Sequence, residues 1–524
     1  MSELIHQLID HQATRQPEAP ALFHKKQTLS YGELHREVGN VANGLMAQGL
    51  LVGERVAFYL PKQPETVYSL FGSSYAGGVF VPVNPLLKAK QVSYILKDCN
   101  VRVLITSTQR LKQLSDELES CHDLNCVVVV EPEKPEIELP RDITLLGWSD
   151  FTSSEPKQKH PRIDADIAAI LYTSGSTGNP KGVVLSHQNM VTGAKSVASY
   201  LNNTAEDRLL AVLPLSFDYG LSQLTTAFHV GASVALMDYL LPRDILKAIV
   251  RYEITGLAGV PPIWNQLVQL EWPEKARQSL RYITNSGGAM PKAATSQLQE
   301  LLPNTDIYLM YGLTEAFRST YLPPDQVNVR PESMGKAIPN AEVMVVRDDG
   351  SECAPGEPGE LVHRGSLVSL GYWNDPGKTA ERFKPAPGQN PALPITEMAV
   401  WSGDQVKMDH EGYLYFISRK DEMIKTSGYR VSPTEVEEVV YNLNAVDEVA
   451  ALGIQHPDLG QAILLVISAR SPLTEKDVVN HCAASLPNFM IPKAVVLQEA
   501  LPHNQNGKID RKQLTTQHQH YFQE

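Results

Sequence analysis

Cysteine is scarce in this chain. Cys99, Cys121, Cys126, Cys353 and Cys482 are scattered over 524 residues, too few and too far apart for a disulfide scaffold, so a reducing, cytoplasmic setting is expected. The one close pair, Cys121 and Cys126 in CHDLNC, has no second cluster of Cys or His at ligand spacing. Two thiols in a half-buried segment are expected there rather than a metal centre. Positive charge is also in deficit: 46 Lys and Arg against 59 Asp and Glu give a formal net charge of −13. Coating nucleic acid or an anionic membrane needs a basic footprint, which excludes both as the main activity. A small anion can still bind in a local basic pocket. No apolar run reaches the roughly 18 residues of a membrane span, and MSELIHQLIDHQATRQPEAP carries acids and no apolar core of a leader. Neither a transmembrane helix nor a secretion signal is expected.

What is present is ample material for a core. The hydrophobic fraction is 43%, ordinary for a folded protein, and the length suits about three domains or one large body with a small appendage. ERVAFYLP, VRVLITS, CVVVV, LLAVLPL, ASVALMD and TGLAGVPP are short apolar runs separated by helical or loop patterns. That alternation predicts α/β architecture with mainly parallel, doubly covered strands. After about Ile338 closely spaced strands with Gly and Pro turns predict an antiparallel or barrel-like subdomain. DHEGYLYFISRKDE reads as a hairpin turning at Glu411 and Gly412. SPTEVEEVVYNL then reads as a helix with Ser432 as N-cap, Pro433 in the first turn and Glu435 three residues on, the pattern of a capping box. A body over 1–420 and a small mobile α+β lid over 421–524 are therefore expected.

The most informative segment is LYTSGSTGNPKGVVLSH. Thr173, Ser174, Gly175, Ser176, Thr177 and Gly178 form an unbroken series of small residues between two apolar runs, with Lys181 close behind. Such residues leave backbone N–H groups open and allow φ > 0, so the loop can wrap oxyanions while Lys181 adds charge. It is not a Walker A loop: Pro180 and Gly182 stand where a glycine and a hydroxyl residue are required, which argues against a P-loop phosphotransferase.

YTSGSTGNPKG, NSGGAMP, YGLTEA, SGDQ, SRKDEMIKTSGYRVSPTEVEE and NGKIDR follow one another along the chain. In that order they resemble the motifs of the adenylate-forming superfamily: acyl-CoA synthetases, amino-acid adenylation domains and firefly-type luciferases. The segments YLPKQPETVYSLFGSSYAGGVFVPVNPLLKAKQV and SFDYGLSQL look closest to AMP-forming acyl-CoA ligases associated with bacterial exosortase systems. The resemblance implies ATP and Mg²⁺ as cofactors and two steps: a carboxylate attacks the α-phosphate of ATP, and a thiol then displaces AMP. It implies roles residue by residue. Tyr311, beside Gly312, stacks on adenine, with Gly287 and Gly288 letting the chain approach the base. Thr314 and Glu315 lie at the phosphates, Glu315 holding Mg²⁺. Asp404, in a turn, takes the ribose hydroxyls with Arg419 beside the sugar, although Trp401 and Ser402 replace the usual Arg-Thr. Lys508 stabilises the charge built up during AMP transfer. Asp421 is the hinge, and Gly428 and Tyr429 line the thiol channel once the lid has turned.

Around the acyl pocket the residues leave alternatives open. Phe217 and Asp218 fall where adenylation domains have a Phe-Asp pairing the substrate amino group, yet Asp218 could equally cap the helix that follows. Arg318 is a second polar residue close by, pointing to a small polar acid, unless it pairs with Asp218 itself. SGYRVSPTEVEEVV resembles acyl-CoA ligases more than adenylation domains, and Lys425 and Arg430 are candidates for the phosphates of CoA. A carrier protein bearing phosphopantetheine is the alternative acceptor. A luciferase-like oxygenase and a non-catalytic nucleotide-binding protein are the remaining readings.

Overall fold

The computed structural model describes residues 3–523 apart from 141, 159, 174–179, 420, 421, 427, 428, 458 and 506; the side chains of Lys425, Tyr429 and Arg430 also lie outside the described set. The described strands form sheets of fourteen, seven and five strands. In the seven-stranded sheet Arg55–Tyr59, Val79–Pro82, Val101–Thr106, Cys126–Val129 and Thr144–Gly147 run parallel, and Ile167–Thr173 joins as a further parallel strand beside Val79–Pro82. Every residue of Val79–Pro82 and Cys126–Val129 is buried. Continuous apolar runs, rather than alternating ones, are what a strand covered on both faces requires. The helices Pro64–Tyr75 and Asp218–Val230 are buried over almost their whole circumference, so they lie between layers rather than on the surface.

The fourteen-stranded sheet has a parallel half, with Arg208–Ala211 between Ser233–Leu236 and Gly256–Gly259, then Tyr282–Asn285 and Asp306–Tyr311. The antiparallel strands expected after Ile338 are present and continue this sheet through Ser333–Ala337. The hairpin between Met398–Met408 and Leu414–Arg419 turns where expected, with Gly412 at φ +83°. After Arg419 the next strand, Ile424–Thr426, belongs to the five-stranded sheet, whose long hairpin Val446–His456/Gly460–Ala469 is packed on one face by the helices Pro433–Tyr441 and Glu475–Ser485.

The expected capping box at Ser432 is not formed. Ser432 does stand at the N-cap of Pro433–Tyr441, but its side chain makes no cap bond; its hydroxyl donates to the carbonyl of Ile417 in the last strand of the body. An N-cap hydroxyl works as an acceptor for the first-turn amides; here the side chain is turned towards Ile417 instead, and the bond it donates joins the two units. Among the described residues no helix is long and apolar enough to cross a membrane. All five cysteines are free thiols.

Candidate active site

The small-residue loop hangs between two paired strands. Ile167–Thr173 and Lys181–Ser186 are antiparallel with Thr173 opposite Lys181, so both ends of the loop are fixed. Ser174, Gly175, Ser176, Thr177 and Gly178 lie outside the described residues, as do Asp421 and Gly428. Burial, then the neighbouring Lys378 and Arg382, lower the pKa of Lys181. Its ammonium lies 5.4 Å from the centre of the Tyr372 ring, a cation over an aromatic face.

Tyr372 escaped the sequence reading. Its hydroxyl donates to Glu315 Oε1 at 2.5 Å, holding the carboxylate expected to bind Mg²⁺. The only sequence signal is the aromatic pair after a glycine in LGYWNDPGKT. Thr314 and Glu315 lie in a short 3₁₀ turn, Thr314–Ala316. The Thr314 hydroxyl donates to Asp218 Oδ1 at 3.4 Å.

Tyr311 ends the strand Asp306–Tyr311, and its hydroxyl donates to Asp404 Oδ2 at 2.5 Å. Burial, then the adjoining carboxylate, push the phenol well above its ordinary range. Asp404 is not in a turn: it lies within the strand Met398–Met408, directly opposite Arg419, with Arg419 Nε 3.6 Å from its carboxylate. The preceding Gly403 takes φ +72°, a kink that a side chain would resist. Ser402, the departure from the family pattern, accepts from the Asp404 amide at 3.1 Å while donating to Leu361 O at 2.7 Å. The substituted residue thus still braces Asp404.

Asp218 is the first residue of the helix Asp218–Val230, one position past the cap, where Phe217 stands without a side-chain bond. It is thus not the N-cap residue itself, although its carboxylate also takes a hydrogen bond from the Tyr219 amide in the first turn. Its carboxylate accepts from Arg318 Nη1 at 3.1 Å, and the two side chains are 4% and 2% exposed. Burial raises the carboxyl pKa, while Arg318 and then Lys508 pull it back. The Arg318 guanidinium lies 4.6 Å from the Tyr219 ring centre, and its Nε and Nη2 have no hydrogen-bond partner among the described residues.

Lys508 reaches this cluster from the small C-terminal unit. Its ammonium is 5.7 Å from the centre of the Phe217 ring. A Cβ built on Gly287, which has φ +83°, would stand 3.1 Å from Lys508 Cε, so bare backbone there admits the lysine stem. Gly288 lies against Pro261, where a Cβ would meet Cγ at 3.1 Å, and Gly312 lies against Arg318, with a Cβ 3.2 Å from its Cα. Burial lowers the Lys508 pKa; Asp218, Asp404 and Glu315 raise it and Arg419 lowers it. Four charged groups from separate stretches of sequence thus meet around one lysine. Lys425 and Arg430 are opposite one another in the ladder between Ile424–Thr426 and Tyr429–Val431, their side chains outside the described set.

Residues 9–373 match the AMP-binding enzymes, and residues 435–508 match the AMP-binding enzyme C-terminal domain. The chain belongs to the AMP-binding enzyme family. It is 30% identical over 542 aligned positions to a long-chain-fatty-acid–CoA ligase of Salmonella typhimurium, covering 97% of this chain and 93% of that one. Tyrocidine synthase 3 of Brevibacillus parabrevis is 29% identical over 98% of this chain, which spans 8% of that much longer protein. Among solved structures, ATP-bound MatB from Rhodopseudomonas palustris superposes with a TM-score of 0.86 at 25% identity, covering 99% of each chain. The o-succinylbenzoate CoA synthetase MenE of Bacillus subtilis, with its acyl-adenylate intermediate, superposes with a TM-score of 0.83 at 26% identity, covering 97% of each.

Proposed function

We propose that this AMP-binding enzyme is a cytoplasmic ATP-dependent ligase that joins a small, polar carboxylic acid to the thiol of CoA through an acyl-AMP, the polarity resting on Arg318 Nε and Nη2, which stay unpartnered among the described residues once Nη1 is taken by Asp218. The placement of Lys508 among Asp218, Glu315, Asp404 and Arg419 carries the reading. In the first step a carboxylate oxygen bonds to the α-phosphorus of ATP and the bond to the bridging oxygen breaks, releasing pyrophosphate. In the second the thiol sulfur bonds to the acyl carbon, its proton is lost, and the acyl carbon–oxygen bond breaks to release AMP.

Negative charge gathers between carboxylate and α-phosphate in the first step, and a cation already desolvated at that point stabilises it without reorganising water. Lys508 fills that role. Tyr311 orients Asp404 for the ribose, and Tyr372 orients Glu315. Glu315 offers oxygen to Mg²⁺, a hard cation that takes one or two carboxylates and completes its shell with phosphate and water; the ion would neutralise the leaving pyrophosphate. The Ser174–Gly178 loop would cradle the phosphates. The second step requires the lid 421–524 to turn about Asp421 against the body 1–420, withdrawing Lys508 and bringing Gly428 and Tyr429 to the channel, with Lys425 and Arg430 near the CoA phosphates.

Similarity to CoA ligases supports CoA as acceptor. Similarity to a peptide synthase supports a second reading, loading of a carrier-protein phosphopantetheine with an amino acid. The Asp218–Arg318 bond weighs against it, because the carboxylate that would meet a substrate ammonium already has a cation. Enzyme, ATP, Mg²⁺ and labelled pyrophosphate, with a panel of small hydroxy, keto, dicarboxylic and amino acids, tests the reading. Label should enter ATP with a polar non-amino acid, and CoA thioester should then accumulate. Exchange confined to amino acids, with product only on a phosphopantetheinylated carrier, would establish the second reading instead.

A further inference from the structure

Asn84 stands where body and lid meet. The strand Val79–Pro82 runs parallel to Ile167–Thr173, with Phe80 opposite Ala169. Its carboxyl end therefore opens on the same edge of the sheet as the start of the phosphate loop, the edge at which α/β sheets bind ligands. Asn84 follows two residues later and is 4% exposed. Its Oδ1 accepts from the Leu86 amide at 2.9 Å, which fixes the carboxamide plane. Its Nδ2 donates to the carbonyl of Gln505 at 2.9 Å, across 421 positions of sequence.

Gln505 belongs to the turn that carries Lys508. The Asn504 amide donates to Lys508 O at 2.7 Å, and the Gly507 amide to Asn504 O at 3.0 Å. The Lys508 amide donates to Asn504 Oδ1 at 3.2 Å, and His503 bridges Ile509 across the base of the turn. A turn closed on itself in this way moves as one piece. Fixing Gln505 therefore fixes the origin of the Lys508 side chain, which passes over Gly287 towards Phe217.

We propose that Asn84 is a positioning residue for adenylation: its amide donor recognises the lid in the arrangement that delivers Lys508, and lets go when the lid turns. The proposal rests on the assignment of Lys508 to the first step. A bond made in only one lid arrangement shifts the population towards it, and so favours one half-reaction over the other.

Asn84→Asp separates this role from a local one. The variant keeps size, shape and the acceptor for Leu86, and exchanges the donor facing Gln505 for an oxygen that repels its carbonyl. Pyrophosphate exchange should fall roughly tenfold, the order expected for a lost buried hydrogen bond with its partner left unsatisfied. Thioester formation from acyl adenylate supplied directly should be unchanged or faster. Asn84→Ala should lose exchange in the same selective way, and it carries the test should the Asp variant not fold. Equal loss of both half-reactions, or loss of neither, would overturn the proposal. Lys508→Ala in the same assays separates the two layers: if it abolishes exchange while both Asn84 variants retain it, the latch alone is wrong. If it retains exchange, the assignment beneath the latch is wrong as well.

Discussion

Arg318 Nη1 donates to Asp218 Oδ2 at 3.1 Å in a site where neither side chain is more than 4% exposed. Removing one member strands the other charge in a medium that cannot solvate it. Arg318→Met should therefore destabilise the protein by about 3–5 kcal/mol. The double variant Asp218→Leu/Arg318→Met should recover a substantial part of that loss in urea unfolding. Additive losses would show that the pair is not coupled.

Tyr311 and Asp404 give a second test. Tyr311→Phe keeps a ring for adenine and removes only the hydroxyl bonded to Asp404. A hydrogen bond to a charged group contributes about 1.5–3 kcal/mol, so the KM for ATP should rise at least several-fold in initial-rate assays. An unchanged KM would show that the bond does not orient Asp404 for nucleotide.

Much of this was legible beforehand because motifs record local chemistry. Thr173 and Lys181 flanking a loop, Ser432 at a helix start and Gly412 in a hairpin follow from backbone preferences within a few residues. What stayed hidden depends on partners far away in sequence. Ser432 fits a capping box on its own segment, yet its proton goes to Ile417 of the body. Asp404 follows a glycine and so reads as a turn residue, but pairing with Arg419 draws it into a strand. The partner of the Asp218 carboxylate, Arg318, lies one hundred positions away, beyond the reach of any local pattern. Tyr372 and Asn84 are single polar side chains whose partners, Glu315 and Gln505, no spacing rule connects.

The state of Lys508 predicts the alkaline limit of activity. Burial lowers its pKa and Asp218 is the largest influence raising it. As pH rises through that lowered pKa the cation is lost, so the exchange rate should fall on the alkaline side at a lower pH than an ordinary lysine would allow. Asp218→Asn removes the raising influence and should move this limb to still lower pH. A limb that stays in place would dissociate the two groups.

His363 sets a different pH dependence. It is fully buried, its Nδ1 lies 2.9 Å from Ser319 Oγ, and burial pushes its pKa down from 6.5 to about 4. Between those values the unfolded chain binds a proton that the folded chain refuses, so stability falls as pH falls through this window, by at most about 1.4 kcal/mol per pH unit. His363→Asn should show a shallower decline between pH 6.5 and 4 in denaturant unfolding, whatever its absolute stability. A slope equal to that of the unaltered protein would contradict the assignment.

The central claim is that Lys508 acts in the first half-reaction and not the second. The decisive measurement compares Lys508→Ala with the unaltered enzyme in acid-dependent pyrophosphate exchange and, separately, in thiolysis of an acyl adenylate supplied directly. Loss of a preorganised cation from the transition state corresponds to roughly 10²–10³ in rate, so exchange should drop by that factor or more while thiolysis stays within a few-fold. Exchange at the unaltered rate, or equal collapse of both reactions, would contradict the account.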